Sequence, residues 1–188
     1  MRCFIICTGA SLKGFDFNRL KGHDVIAVNH AIKYVDAKYM VAIDFKSTFE
    51  KAEWKGIIKD TPIIVDSVIT SADFNLLVME RGKIEGFDLR PNRVASGSNS
   101  GYMSINAAYH LGYREIYLLG MDMGRVYNER YFDRPGYVEK KSQHPDYNYV
   151  LPWFEMMAKE MPTDLKVYNC SMQSHLNVFP KISIYDII

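Results

Sequence analysis

A single α/β domain, built on a mostly parallel β-sheet with helices on both faces, is the fold class that this sequence predicts, and three observations predict it. Apolar runs of strand length recur at residues 2–7 (RCFIIC), 24–29 (DVIAVN), 39–44 (YMVAID) and 61–66 (TPIIVD). They are apolar nearly throughout, as strands covered on both faces are. Three strand ends are polar, Thr8, Asn29 and Asp44, and in a parallel sheet such ends meet at one crevice. The third observation is a loop, helix, strand, loop unit over residues 96–124, SGSNSGYMSINAAYHLGYREIYLLGMDMG.

Taken in order, the first strand leads into Thr8-Gly9-Ala10-Ser11-Leu12, a tight loop after a strand, as in nucleotide-binding α/β domains. It is neither a full GxGxxG, because Cys7 stands at the first glycine, nor a Walker A loop. The second and third strands follow. Residues 45–56, carrying Phe49, Ala52 and Trp54, read as a helix. Pro62 opens the fourth strand, where proline is tolerated. Residues 67–93 have no clear period, with turn signals at Arg81-Gly82 and Arg90-Pro91 and a short helix or strand near residues 74–79.

The central unit begins with Ser96, Gly97, Ser98, Asn99, Ser100 and Gly101, residues that suit a tight turn and cap a helix. Met103, Ala107, Ala108 and Leu111 recur at helical spacing up to Gly112, a C-terminal cap. Residues 115–119 (EIYLL) form the next strand and deliver Asp122 to the carboxyl edge of the sheet. The unpaired N–H groups at the helix start, over Asn99, Ser100 and Gly101, suit a phosphate. The polar, tyrosine-rich stretch over 124–149 has little periodicity and reads as a lid or binding loop. Residues 150–161 then form a helix with Phe154, Met157, Ala158 and Met161 on one stripe, and residues 165–168 (LKVY) a last strand.

Bulk properties set the limits. The 188 residues, 48% hydrophobic, suffice for one core and one domain over 1–188. A net charge of +1 gives no reason to expect tight nucleic-acid binding. Cys3, Cys7 and Cys170 lack CxxC spacing and predict neither a disulfide framework nor a zinc site. No apolar run reaches bilayer length and MRCFIICTGA lacks the apolar core of a signal peptide, so a cytoplasmic or peripherally attached protein is expected.

The runs IICTGASLKGFDFNRL, DVIAVNHA, SGSNSGYMSINAAYHLGYREIYLLGMDM and VYNCSMQSHLNVFP, in this order over most of the chain, resemble the small bacterial sialyltransferases of glycosyltransferase family 42. They are also similar to the wider Rossmann-like group that includes archaeal 6-hydroxymethylpterin diphosphokinase-like proteins. The resemblance implies a Rossmann-like domain that transfers a sugar from a CMP-sugar to a glycan or other hydroxyl acceptor, with inversion, without an essential metal, and as a homo-oligomer. In the family the first loop reads Gly-Asn-Gly-Pro-Ser-Leu, matched by residues 7–12 with Thr8 in place of the donor-contacting Asn. Asn29 matches a family Asn, Asp44 stands where the family has an Asn beside the donor, and Ser100-Gly101 matches its Ser-Gly pair. Tyr127 and Tyr131 fall where the family holds the donor phosphate, and His144 where it carries the catalytic base. Lys141 replaces the tyrosine that precedes this His.

On that basis His144 takes the proton of the acceptor hydroxyl, for which an imidazole of pKa about 6.5 is suited. Tyr127, Tyr131 and the N–H groups at Ser100-Gly101 face the departing phosphate; His23, His30, His110 and His175 have lesser claims. Two alternatives use the same fold. Asp44 and Asp122 can hold Mg²⁺ for pyrophosphoryl transfer, or the chain is a phage-encoded protein that binds nucleotides without chemistry.

Overall fold

Every side chain of β1 (Arg2–Ile6) beyond Arg2 is apolar and buried, which places this strand at the middle of a sheet covered on both faces. Cys3 and Ile5 enter one core and Phe4 and Ile6 the other, by the two-residue alternation of a strand. The computed structural model describes residues 1–134, 136 and 148–188. On one side β1 pairs with β2 (Val25–Val28), followed outward by β3 (Tyr39–Val41), β4 (Ile63–Val65) and β5 (Leu76–Val78). On its other side lie β8 (Glu115–Leu119) and β9 (Lys166–Asn169). All these pairings are parallel. The result is the Rossmann-like α/β domain that the sequence predicts.

Helices cover both faces. Against one lie α2 (Ser100–His110) and α3 (Leu151–Glu160), whose Tyr102, Ile105, Ala108, Phe154 and Met157 pack with Ile5, Val28 and Leu118. The other face is closed by the loop after β1 and by α1 (Ala52–Ile58), with Leu12, Phe45, Phe49, Trp54 and Ile58 under Phe4, Ala27 and Met40. α2 stops where expected, with Gly112 at φ +92°.

Two segments differ from the reading of the sequence. Residues 45–56 are a π-type turn (Phe45–Phe49) followed, after extended Lys51, by the separate helix α1. At about 100° per residue a continuous helix would set Phe49 and Trp54 well apart around its axis. The break lets both rings bury against each other, centroids 4.7 Å apart. Residues 67–93 hold β5, which is a strand, and β6 (Glu80–Lys83) with β7 (Arg93–Ala95), a separate two-stranded parallel ribbon. The sequence ERGK carries no apolar pattern. Its Arg81 is held by the Asp66 carboxylate at 2.6 Å, and in the turn that follows Asp88 accepts from Arg90 at 2.6 Å.

Buried Asn106 of α2 is the pin between helix and ribbon. Its side-chain oxygen accepts from the N–H groups of Asp88 (2.9 Å) and Ala95 (2.8 Å), and its amide donates to the Asp88 carbonyl (3.0 Å). Asn106→Ala leaves three buried backbone groups without these partners, so a destabilisation of about 2–4 kcal/mol is expected in urea unfolding. A loss under about 0.5 kcal/mol, the level of an ordinary surface change, contradicts that role.

Candidate functional site

From β1 the chain steps outward through β2, β3, β4 and β5 and then returns to place β8 on the opposite side of β1. Strand order reverses between β1 and β8, and ligand crevices of such sheets lie beside that point, at the carboxyl ends of the strands. A cavity of ≈ 420 Å³ lies there, within the range of about 300–1,000 Å³ typical of small-molecule sites. Its wall includes Thr8 and Gly9 after β1, Asn29 and His30 after β2, Asp44 after β3, Asn99 to Gly101 at the start of α2, and Asp122 after β8.

The wall is held by contacts that begin with a missing side chain. Gly9 donates its N–H to the Gly120 carbonyl at 2.9 Å, and a Cβ on Gly9 would lie 2.4 Å from that oxygen and 2.5 Å from Oδ2 of Asp122. Only glycine lets the two loops approach so closely. Asp122, 3% exposed, accepts from the Ser11 N–H at 2.8 Å and from the Ser11 hydroxyl at its other oxygen. Burial raises its pKa above the ordinary carboxylate range, opposed by the hydrogen bonds from Ser11. Ser11 also bonds Ser171, whose hydroxyl accepts from the Gly120 N–H at 2.8 Å. Ser11 is thus a support for the wall through Asp122 and is not among the residues lining the cavity.

At α2 the side chains turn inward on the protein. The Asn99 side-chain oxygen caps the helix by accepting from the Tyr102 N–H at 3.0 Å, and the Ser100 hydroxyl accepts from the Ile43 N–H at 3.1 Å. What this stretch can offer a ligand is the backbone N–H groups of the first turn, which have no partner inside a helix. Gly101 lets that turn settle on the sheet, since a Cβ there would meet Met121 at 3.2 Å and Cys7 at 3.4 Å.

The segment after β8 contributes the remaining wall. Tyr131 lines the cavity and its backbone bridges Gly9, while the Phe132 N–H donates to the Thr8 carbonyl at 3.2 Å. Tyr127 does not join it: with φ +54° on the turn closed by Val126 and Glu129, it stands 66% exposed and outside the lining. His144 and Lys141 lie outside the described residues.

Among the residues that the sequence reading passed over, or ranked low, His30, Thr48, Arg130 and Arg134 bring polar or charged side chains to the cavity. Arg130 and Arg134 flank Tyr131, with the Arg134 guanidinium 3.9 Å from the ring centre. The run NERYFDRPG carried that signal, since arginines beside a cavity-facing tyrosine suit an anion. Two further histidines play structural parts: His110 bonds the Asp88 carbonyl, and the His23 ring packs on Phe4. Among the described residues no group of three or more His, Cys, Asp or Glu is placed to hold a metal ion. No helix among them is long and apolar enough to cross a membrane.

Comparison with solved structures places the same fold in glycosyltransferases. The MAf glycosyltransferase from Magnetospirillum magneticum AMB-1 superposes with a TM-score of 0.68 at 14% identity over 97% of this chain, which spans 33% of that protein. The sialyltransferase CstII from Campylobacter jejuni, in complex with cytidine-5'-monophosphate, gives a TM-score of 0.55 at 18% identity over 97% of this chain and 84% of that one. CstII in complex with CMP-3FNeuAc gives 0.55 at 16% identity, over 97% and 86%. No protein-family model matches the chain and no curated protein matches it in sequence. At these identities the likeness establishes the Rossmann-like fold.

Gly9→Ala drives a methyl group into the Gly120 carbonyl just past β8, where little can yield. A loss of about 1–3 kcal/mol is expected in thermal or chemical unfolding. A stability equal to that of the unaltered protein means that the two loops are not held together as described.

Proposed function

We propose that this protein is a sialyltransferase-like glycosyltransferase that takes a sugar from a CMP-activated donor and passes it to a hydroxyl acceptor. One observation carries the reading: strand-end residues Thr8, Gly9, Asn29 and Asp44 and the first turn of α2 meet in one cavity at the point of strand reversal. A cavity so placed, with helix N–H groups at its wall, suits a nucleotide phosphate. The reading gains support from the CMP and CMP-3FNeuAc complexes of the fold neighbour CstII.

In this scheme the acceptor oxygen attacks the anomeric carbon as the bond to the donor phosphate breaks. The proton leaves the acceptor hydroxyl for His144, assigned as base from the resemblance to family 42. Charge developing on the phosphate is met by the N–H groups of Ser100 and Gly101 and by Tyr131, donors already fixed by folding. No step uses a metal. For the Mg²⁺ alternative, Asp44 and Asp122 do share the cavity, but both carboxylate oxygens of Asp122 are engaged by Ser11.

A thermal-shift series with CMP, CDP, UDP, GDP, ATP and CMP-sialic acid, each with and without Mg²⁺, tests the ligand. A ligand at about 100 times its Kd stabilises the folded state by about 2.7 kcal/mol. The reading expects the largest shift from the cytidine compounds, independent of Mg²⁺; a preference for ATP with Mg²⁺ contradicts it. For chemistry, His144→Ala is expected to lower kcat by about 10²–10⁴ while leaving CMP affinity within about twofold. Unchanged turnover removes His144 as the base.

A further inference from the structure

The cavity straddles the edge of the sheet, and its two sides are built differently. The start of α2 approaches from the face that carries the core of Ile5, Val28 and Leu118. His30 belongs to the opposite face, where its ring is gripped by Phe49 (centroids 5.3 Å) and Trp54 (5.2 Å). Asn29, at φ +53°, turns the chain sharply just before it. Such left-handed geometry in a non-glycine residue collects at sites where a side chain must be aimed. Both residues line the cavity, as does Arg134.

His30 is fixed in place and chemically open. Its aromatic neighbours hold the ring, yet neither ring nitrogen is hydrogen-bonded within the described protein. The charged groups near it are Arg134 and Asp133 from the segment after β8, and Lys33 from its own turn. Asp133 lies 3.5 Å from Nε of Arg134. We propose that His30 and Arg134 form an anion subsite that takes the phosphate of a bound nucleotide between imidazolium and guanidinium. This rests on the reading of the cavity as a nucleotide-sugar site and adds to it a second, side-chain source of positive charge, separate from the α2 N–H groups.

The electrostatics give this subsite a sign that can be measured. In the free protein burial, then Arg134, then Lys33, hold the His30 pKa below its ordinary value, against a smaller opposing effect of Asp133. The ring is therefore neutral near pH 7. A phosphate dianion beside it favours the charged ring and raises that pKa. Affinity for a phosphate-bearing ligand then rises as pH falls through the pKa of the bound state, and levels off below that of the free state. The ligand's own phosphate also titrates, near about pH 6. Only the difference between the unaltered protein and a His30 variant isolates the ring.

The experiment is a calorimetric comparison of CMP and cytidine, from pH 5.5 to 8.5, for the unaltered protein, His30→Gln and Arg134→Gln. The unaltered protein is expected to prefer CMP over cytidine by about tenfold or more at pH 6, as charge-assisted hydrogen bonds allow. His30→Gln is expected to lose about tenfold in CMP affinity at pH 6, under about twofold at pH 8.5, and nothing for cytidine. Arg134→Gln is expected to lose CMP affinity at every pH. Should His30→Gln fail to fold, the imidazole signals of the unaltered protein supply the readout: CMP is expected to raise the His30 pKa, cytidine to leave it in place. A His30→Gln profile parallel to that of the unaltered protein, or a His30 pKa unmoved by CMP, overturns the subsite while CMP binding itself upholds the cavity. If neither compound binds at all, the nucleotide reading falls and the subsite with it.

Discussion

The cavity exists because two loops that leave the sheet side by side are allowed almost to touch. The N–H of Gly9 reaches the carbonyl of Gly120, and Ser11 closes onto the buried carboxylate of Asp122. These bonds fix the β1 loop against the tip of β8, so the N–H groups of α2 and the ends of β2 and β3 are presented to a space of constant shape. A buried carboxylate is costly unless its lone pairs are used. Asp122 satisfies that condition through Ser11, which makes it a structural part of the wall as well as a lining residue. The same economy holds at α2, where Asn99 and Ser100 use their side chains to cap the helix and to hold Ile43 in the loop after β3. Backbone groups are left to face a ligand.

Charge in the cavity follows from this division of labour. One side offers the partial positive charge of a helix start, which is permanent. The other offers Arg130 and Arg134 beside Tyr131, together with an imidazole whose charge depends on pH. For transfer of a sugar from a nucleotide, the energetic demand is concentrated on the departing phosphate, and groups held in place before the reaction meet it with little reorganisation. The placement of Tyr131 by its backbone bridge to Gly9 ties that side of the wall to the same β1 loop. A change at Gly9 is thereby felt on both sides of the site.

Much of the fold was legible because burial on two faces leaves a strong mark on sequence. The runs FII, VIAV and EIYLL read as strands, and in the structure they are the centre of the sheet. The loop, helix, strand unit over 96–124 was equally plain, since Asn99 and Gly112 bracket its helix. What escaped was structure without an apolar period: β6 and β7 are ordered by Asp66, which holds Arg81, and by Asn106, which holds Asp88 and Ala95, contacts between residues distant in the chain. The split between Phe49 and Trp54 likewise answers a demand of the core that no local propensity reports. At the site, the strand ends pointed to a shared crevice, and Thr8, Gly9, Asn29, Asp44 and Asp122 do line one cavity. Roles were harder to see. Ser11 supports and does not line, Tyr127 faces solvent, and His30 joins the wall because Phe49 and Trp54 turn it there.

The central claim is that a nucleotide occupies the hollow where strand order reverses beside β1. A crystal structure of the protein with CMP tests it most directly. The account predicts density for the phosphate within hydrogen-bonding distance of the Ser100 or Gly101 N–H, with the rest of the nucleotide bounded by Gly9, Asn29 and Asp44. CMP seated elsewhere on the molecule, with this cavity filled only by solvent, contradicts it.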